Sequence, residues 1–304
     1  MNACTHILCS IFLCLFAVTL AVSDDSRSAA PAKATQYLRA DSAFFPLKSW
    51  ESSGKADGKF YNITDVEFHP NGNIYTSHPG LDIYARVQIF DTNGKFLDWF
   101  GGFGEGKKSE QDMKGATGLA LCPNGNVYVG ESLGNTVQQY TGDGKYIQTW
   151  SLPGRLMSCP ICVAVDCNGN VYTADSFNSY LYKHTNKGTL LWEKALNSSG
   201  FRSSRPEDIA ISPDGKRVYL ADSAYHGIRV FSGESGKELK AITGADSMID
   251  SPWTLECRSD GRLIVLDVRK DEVFIQLLSS DGVRLSVTKF TRKQGSYFYQ
   301  LGVG

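Results

Sequence analysis

One pair of glycine-containing turns recurs five times along this chain, and the repeat constrains the fold more than any other feature. The first turn of each copy is Asn-Gly or Asp-Gly and begins at Asn71, Asn124, Asn168, Asp214 and Asp260, so the copies are 44 to 53 residues apart. The second turn follows 19 to 22 residues later and carries Gly94, Gly144, Gly188, Gly236 and Gly282. A hairpin-based period of this length is typical of a β-propeller with one four-stranded blade per copy.

The third copy shows how the pattern predicts strands. A short apolar run, Val163–Val165, leads into Asn168-Gly169, where both residues tolerate the positive φ that a tight hairpin turn needs. The β-branched and aromatic run 171–174 follows and ends at Asp175, and two more alternating runs complete the copy. No segment beyond the N-terminal run has a sustained helical period, so we predict an all-β fold.

The ends of the chain predict a sixth blade that is split between the termini. Residues 36–51 resemble the last two strands of a blade, and the tail after Phe290 is expected to supply the missing strands. This closure would leave no exposed sheet edge in the ring. The alternative is a five-bladed ring with loose ends.

The N-terminus predicts a secretory signal. Residues 7–20 form an apolar run that is short for a membrane span, and small residues follow it at 21–23. We therefore expect a signal peptide at 1–23, a linker at 24–35 and the propeller at 36–304, with an uncleaved signal anchor as the alternative. The sequons at Asn62 and Asn197 predict glycosylation in the same route. The mature protein is then expected to be secreted or luminal, without a membrane span.

The charge balance disfavours nucleic acid as a partner. Lysine and arginine number 31 against 32 aspartate and glutamate, and no basic cluster is present. A monomer is expected.

Five cysteines remain after the signal is removed, which allows up to two disulfides in an oxidising compartment. Cys122 and Cys167 both lie in first turns of adjacent copies, so a bond between them is predicted. Cys159 and Cys162 have the spacing of a redox motif. They precede a strand rather than a helix N-terminus, which favours a local disulfide or structural thiols over redox chemistry.

Three segments carry a resemblance to a known family: FDTNGKFLDWFGGFGEG, GLALCPNGNVYVGES and RPEDIAISPDGKRVYLADS. Over residues 60–290 the chain resembles the NHL-repeat propellers, which have six blades and mostly act as binding platforms. One enzymatic branch, the peptidyl-hydroxyglycine amidating lyases, holds Zn²⁺ with histidines at the start of the innermost strands.

This chain departs from the lyase pattern at the histidine positions. Seven residues before each first turn it has Thr64, Thr117, Ile161, Glu207 and Trp253. Because a catalytic zinc needs about three converging protein ligands, the resemblance does not carry that activity to this chain.

Two sets of repeat positions are candidates for cation binding. At the end of the second strand the chain has His78, Glu131, Asp175, Asp222 and Asp267, which either cap their own turns or form a carboxylate ring suited to Ca²⁺. Four residues before the first turn, Glu67 and Glu256 replace the alanine of the other three copies. This pair would face the channel beside the split blade. The two carboxylates would be either solvated or ligands of a metal ion such as Ca²⁺.

The mouth of the channel is the expected ligand site, with Arg205, Glu207, Asp208 and Trp253 nearby. The leading hypothesis is a secreted, non-catalytic propeller that binds a protein, peptide or glycan. The alternative is an extracellular metal-dependent lyase or hydrolase that uses carboxylate ligands.

Overall fold

The computed structural model describes most of the chain between residues 16 and 303. The described ranges are 16–22, 33–40, 43–51, 55–59, 63–69, 71–80, 82–106, 108–153, 160–197, 204–244, 248–270, 272–291 and 297–303. All the regular structure in these ranges is β-strand. The described residues include no helix that is long and apolar enough to cross a membrane.

The five sequence copies form five four-stranded antiparallel blades of a β-propeller. Blade 1 contains β4 (Asp65–Phe68), β5 (Ile74–His78), β6 (Arg86–Phe90) and β7 (Phe96–Gly101). Blade 2 contains β8 (Ala116–Leu121), β9 (Val127–Glu131), β10 (Thr136–Tyr140) and β11 (Tyr146–Ser151). Blade 3 contains β12 (Pro160–Val165), β13 (Val171–Asp175), β14 (Tyr180–His184) and β15 (Leu190–Ala195). Blade 4 contains β16 (Pro206–Ile211), β17 (Arg217–Asp222), β18 (Gly227–Ser232) and β19 (Glu238–Ile242). Blade 5 contains β20 (Pro252–Cys257), β21 (Leu263–Val268), β22 (Glu272–Leu278) and β23 (Arg284–Thr291).

The strands of each blade are paired in chain order, from the innermost strand to the outermost. The first and third connections of every blade therefore lie at one end of the ring, which we call the turn end. The second connection and the link to the next blade lie at the opposite end, the loop end. The predicted turn glycines lie at the turn end, and Gly72, Gly125 and Gly169 have φ values of 90°, 88° and 80°.

The core lies between blades rather than within them. A tyrosine on the second strand is buried at the same place in four blades, at Tyr75, Tyr128, Tyr172 and Tyr219. Each tyrosine packs against apolar residues of the following blade. Tyr172, for example, lies in one buried cluster with Ile209 and Val218 of blade 4. A blade is a two-faced sheet, so it needs a neighbour on each side to remove its apolar faces from water.

The second-turn glycines allow this close packing. An added Cβ at Gly144 would lie 2.6 Å from Phe100 of blade 1, and one at Gly188 would lie 2.7 Å from Trp150 of blade 2. Both glycines also have positive φ, 84° and 79°. A side chain at either position would therefore strain the turn and displace a ring of the preceding blade.

The structure shows five complete blades where the sequence predicts six. A further four-stranded sheet is described by its backbone pairing, in the order Tyr297–Val303 (β24), Phe16–Val22 (β1), Lys33–Ala40 (β2) and Ala43–Glu51 (β3). Its outer strands β2 (Lys33–Ala40) and β3 (Ala43–Glu51) overlap the predicted segment 36–51, and β24 (Tyr297–Val303) comes from the tail. The remaining strand is β1 (Phe16–Val22), which the sequence assigns to the signal peptide rather than to the tail.

The predicted disulfide between Cys122 and Cys167 is not present, and none of the described cysteines is in a disulfide. Cys122 lies two residues before its turn asparagine and Cys167 only one. Strands β8 and β12 end at Leu121 and Val165, so Cys122 directly follows its strand whereas Cys167 lies one place further on, within the turn. Cys122 is buried between blades 2 and 3, whereas Cys167 is exposed.

We predict that deletion of residues 297–304 lowers the melting temperature. Strand β24 is hydrogen-bonded to β1, and it is the element of the terminal sheet that contacts both β4 and β20. Its loss would expose the flanks of the first and last complete blades. Thermal unfolding of the full and shortened chains, followed by circular dichroism, measures the effect. An unchanged melting temperature would show that β24 does not hold the two ends together.

Candidate functional site

An axial cavity of about 200 Å³ lies where the innermost strands meet. The repeat position four residues before the first turn lies on its wall in all five blades, with Glu67, Ala120, Ala164, Ala210 and Glu256. Asp65 and Asp208 line the same cavity. Four carboxyl groups therefore surround one cavity, and the other lining residues are aliphatic apart from Cys257.

The two aspartates bind backbone groups of the next blade. Asp65 Oδ2 accepts a hydrogen bond of 2.7 Å from the amide of Leu119. Asp208 Oδ2 accepts one of 2.9 Å from the amide of Leu255 and one of 2.6 Å from the hydroxyl of Thr254. These bonds hold the innermost strand of one blade against that of the next. The equivalence of Asp65 and Asp208, six residues before their turns, is visible in the sequence.

The glutamates differ from the aspartates because none of their described hydrogen bonds reaches the next blade; Glu67 accepts one from the backbone of its own neighbour, Phe68. Burial raises the pKa of Glu256 to about 8, and the negative charge of Asp208 adds to this effect. Burial likewise raises the pKa of Glu67 well above its usual range, and Glu256 is the next contributor. At neutral pH the cavity therefore favours protons, or other positive charge, on this pair.

The acidic residues at the strand ends are engaged in their own turns and in links between blades. Asp175 accepts hydrogen bonds of 3.0 Å from the amides of both Phe177 and Asn178. Asp222 accepts them from the hydroxyl of Ser204 at 2.6 Å and the amide of Arg205 at 3.0 Å. Glu131 and Asp267 are bonded in comparable ways to Lys114 and Ser251. Asp175 and Asp222 therefore cap their own turns, as one sequence-based alternative has it, whereas these bonds of Glu131 and Asp267 reach the links between blades.

His78 occupies the corresponding position in blade 1. Its Nε2 lies 3.0 Å from the hydroxyl of Thr76 and 3.0 Å from Nε2 of Gln88. Across the described part of the chain, no three histidine, cysteine or acidic side chains are grouped closely enough to hold a metal ion.

The residues predicted at the channel mouth do not converge on one point. Arg205 is exposed and its Nε lies 2.9 Å from Oε1 of Glu207, which also accepts a hydrogen bond from Ser223. Asp208 faces the next blade, as described above. Trp253 is half-buried and packs on the side of blade 5 that carries Ile264 and Leu266. Their shared role in ligand binding stays a prediction.

Of the two predicted glycosylation sites, Asn197 is exposed at the loop end, where its side-chain oxygen accepts a 2.7 Å hydrogen bond from the amide of Ser204. Asn62 and Cys159 lie outside the described residues.

The position that carries histidine in the amidating lyases is occupied in blade 1 by Thr64, whose hydroxyl donates to the carbonyl of Ala116 at 2.8 Å.

The loop end has a feature that the sequence reasoning missed. The connections between second and third strands of blades 2, 3 and 4 each present one large apolar side chain to solvent. We call Leu133, Phe177 and Tyr225 the tip residues; their exposed fractions are 60%, 62% and 39%. The available sequence signal was a large apolar residue two or three places after the acidic strand end in each of these three copies.

No protein-family model and no curated protein matches the sequence significantly. Solved structures match the fold. A chain in the crystal structure of a nidogen/laminin complex is 13% identical with a TM-score of 0.65, covering 95% of this chain and 98% of that one. A protein of unknown function from Bacteroides caccae is 12% identical with a TM-score of 0.68 at the same coverage. A streptogramin B lyase is 16% identical with a TM-score of 0.58, covering 80% of this chain and 71% of that one. At these identities the similarity establishes the propeller fold alone.

We predict that Glu256→Gln makes the protein more stable at pH 8 than the unchanged chain. Because the pKa of Glu256 is raised on folding, its contribution is fully present below about pH 4.5 and is lost as pH rises toward 8. A glutamine cannot ionise, so the gain at pH 8 should be roughly 1–3 kcal/mol and should be small at pH 5. Urea unfolding at both pH values measures it.

The matched control is Glu234→Gln, since Glu234 is an exposed glutamate outside the cavity. It should leave the pH dependence unchanged. If Glu256→Gln has the same effect at pH 5 as at pH 8, the cavity does not raise the pKa of this group.

Proposed function

We propose that this protein is a secreted, non-catalytic NHL-type propeller that binds a protein partner at its loop end. The observation that carries the proposal is the row of exposed tip residues on three consecutive blades. Large apolar side chains on adjacent turns of equal length are the kind of anchor that dominates protein–protein interfaces. The similarity in fold to a chain of the nidogen/laminin complex supports a protein rather than a small molecule as the partner.

The turns hold the tip residues in a defined geometry. The last residue of each turn, Asn135, Ser179 or His226, has a positive φ of 54°, 55° or 57°. In blade 3 the carboxylate of Asp175 holds the turn from inside, and in blade 4 Asp222 does the same by accepting from the amide of Tyr225 at 3.2 Å. A preformed turn loses little conformational entropy on binding, which favours affinity.

The further elements of the proposal come from the sequence. They are cleavage of the signal peptide at about residue 23, glycosylation at Asn62 and Asn197, a monomeric state, and a ring closed as six blades by the terminal sheet. Cleavage at that point would remove β1, so the terminal sheet of the secreted form would have to replace or omit this strand. Mass spectrometry of the secreted protein identifies its first residue and any attached glycans.

We predict that Phe177→Ser and Tyr225→Ser each weaken binding of the partner about tenfold or more, because each removes an apolar anchor. The partner is first isolated from the secreted fraction of the source cells with the unchanged protein, and affinities are then measured with purified components. Leu191→Ser and Leu239→Ser are matched controls, since these leucines are also exposed but lie on the outer strands β15 and β19. Equal losses from tip and control variants would contradict the proposal.

A second candidate is a metal-dependent lyase or hydrolase centred on the axial cavity. It is favoured by the presence of Glu67, Glu256, Asp65 and Asp208 on the walls of one cavity, and by the similarity in fold to streptogramin B lyase. Because no three of the described carboxylates are grouped closely enough to hold an ion, the walls of the cavity would have to move together on binding. A cation held by the pair would raise the melting temperature by mass action, because the unfolded chain cannot assemble the site.

For this candidate we predict a rise in melting temperature with millimolar Ca²⁺, Mg²⁺ or Zn²⁺ that disappears in the Glu67→Ala, Glu256→Ala double variant. The variant must remain folded without metal, which circular dichroism checks. If the unchanged protein shows no rise with any of the three ions, the metal site is absent and the enzymatic candidate loses its basis.

A further inference from the structure

The junction between blades 1 and 2 differs from the junctions that follow it around the ring. Between blades 2 and 3, Gln148 of the outermost strand donates a hydrogen bond of 2.6 Å to the carbonyl of Asn186 in the next blade's second turn. Trp192 and Lys240 make the equivalent bonds to Gly233 and Asp281, each at 3.3 Å. All three side chains lie four residues after their own second-turn glycine, so the repeat uses one position to close these junctions.

In blade 1 this closing position is occupied by Asp98. An ionised carboxylate has no proton to donate, so Asp98 cannot make the bond to a carbonyl that closes the other junctions. It pairs instead with Lys108, whose Nζ lies 2.5 Å from Oδ1. The junction is left open as a groove of about 600 Å³ at the turn end, the larger of the two cavities described here.

The base of the groove is formed by two rings in contact, tilted by 31° to each other. His69 and Tyr75 have ring centroids 5.2 Å apart. The hydroxyl of Tyr75 donates to the carbonyl of Gly142 at 2.6 Å, and Nε2 of His69 lies 3.1 Å from the carbonyl of Gly125. A Cβ at position 142 would come within 2.9 Å of the same Nε2, so a glycine is needed there for this arrangement. The base is thus built from both blades.

The rim of the groove is rich in amide and carboxylate groups, with Asn71, Asn73, Asn124, Asn126, Asp98 and Asp143. The side-chain oxygens of Asn71 and Asn124 accept hydrogen bonds of 2.9 Å from the amides of Asn73 and Asn126. These bonds hold both carboxamides in place and leave the amino group of Asn124 as a donor. Ile89 and Leu97 add an apolar strip, and Leu97 is 44% exposed.

We propose that this groove is a binding site for a neutral oligosaccharide. Paired donors and acceptors on carboxamides and carboxylates match the hydroxyl groups of a sugar, each of which both donates and accepts. The apolar strip and the ring of His69 suit the C–H faces of sugar rings. The charged side chains among the described lining residues are Asp98, which is paired with Lys108, and Asp143, so the groove disfavours sulfated, phosphorylated or carboxylated ligands. The site lies at the end of the ring opposite the tip residues and does not depend on the proposed protein partner.

The test uses the full chain and a panel of trisaccharides: mannotriose, cellotriose and triacetylchitotriose, with a heparin tetrasaccharide as the anionic probe. Binding is measured by saturation-transfer NMR and titration calorimetry. We expect at least one neutral trisaccharide, and not the heparin fragment, to bind with a dissociation constant of about 1 mM or below. Absence of binding by all three neutral sugars at about 10 mM, or preferential binding of heparin, overturns the proposal.

Two variants locate the site. Asp98→Gln installs the residue type that closes the next junction, so it should fill the groove, weaken sugar binding about tenfold or more and leave the melting temperature equal or higher. Asn124→Ala should weaken binding to a similar degree. The matched control is Asn168→Ala, which changes the equivalent turn residue at the closed junction and should leave binding unchanged. If Asn168→Ala weakens binding as much as Asn124→Ala, or if Asp98→Gln has no effect on it, the groove is not the site.

Discussion

Contact between neighbouring blades is the constraint on which the rest of this structure depends. Every blade presents two apolar faces, and each of the four tyrosines on second strands is buried only because the next blade covers it. Two hydrogen-bonded links reinforce the centre, from Asp65 to the Leu119 amide and from Asp208 to the Leu255 amide. Both aspartates are buried, and the free-energy cost of removing their carboxyl groups from water is offset only while the neighbouring strand supplies its amide. Loss of one blade would therefore destabilise the next.

This arrangement explains why departures from the repeat are informative. A residue that all copies share is accounted for by packing or by turn formation. Glu67 and Glu256 break the alanine pattern of the innermost strand, and Asp98 breaks the pattern of side chains that close the junctions. The tip residues are a different case, since they vary in identity while each remains large, apolar and exposed.

The blades themselves could be predicted from the sequence, because turn chemistry is local. Asn-Gly and Asp-Gly pairs specify tight hairpins, and the apolar runs between them have the length of strands. The alignment of individual residues between copies was harder to predict. The predicted bond between Cys122 and Cys167 treated as equivalent two residues that are offset by one place, so that one is buried directly after its strand and the other is exposed in its turn. The strand formed by Phe16–Val22 was also missed, since an apolar N-terminal run has the composition of a signal peptide as well as of a strand.

The candidate sites were predictable only in part. The carboxylates around the axial cavity follow from repeat position, and Glu67 and Glu256 were identified in that way. The groove between blades 1 and 2 was not identified, because the significance of Asp98 depends on what Gln148, Trp192 and Lys240 do at other junctions. The tip residues were missed because exposure is a property of the folded turn. A large apolar residue in a loop is otherwise read as a contribution to the core.

The central claim is that the loop end of blades 2 to 4 is the surface that meets a protein partner. Site-specific photocrosslinking tests it directly, with a benzoylphenylalanine placed at position 177 in one sample and at position 239 in another. Residue 177 is at a tip and residue 239 is on an outer strand, and both are exposed. The account predicts one dominant crosslinked protein from position 177 and none from position 239. A crosslink that forms only from position 239, or equally from both, would contradict it.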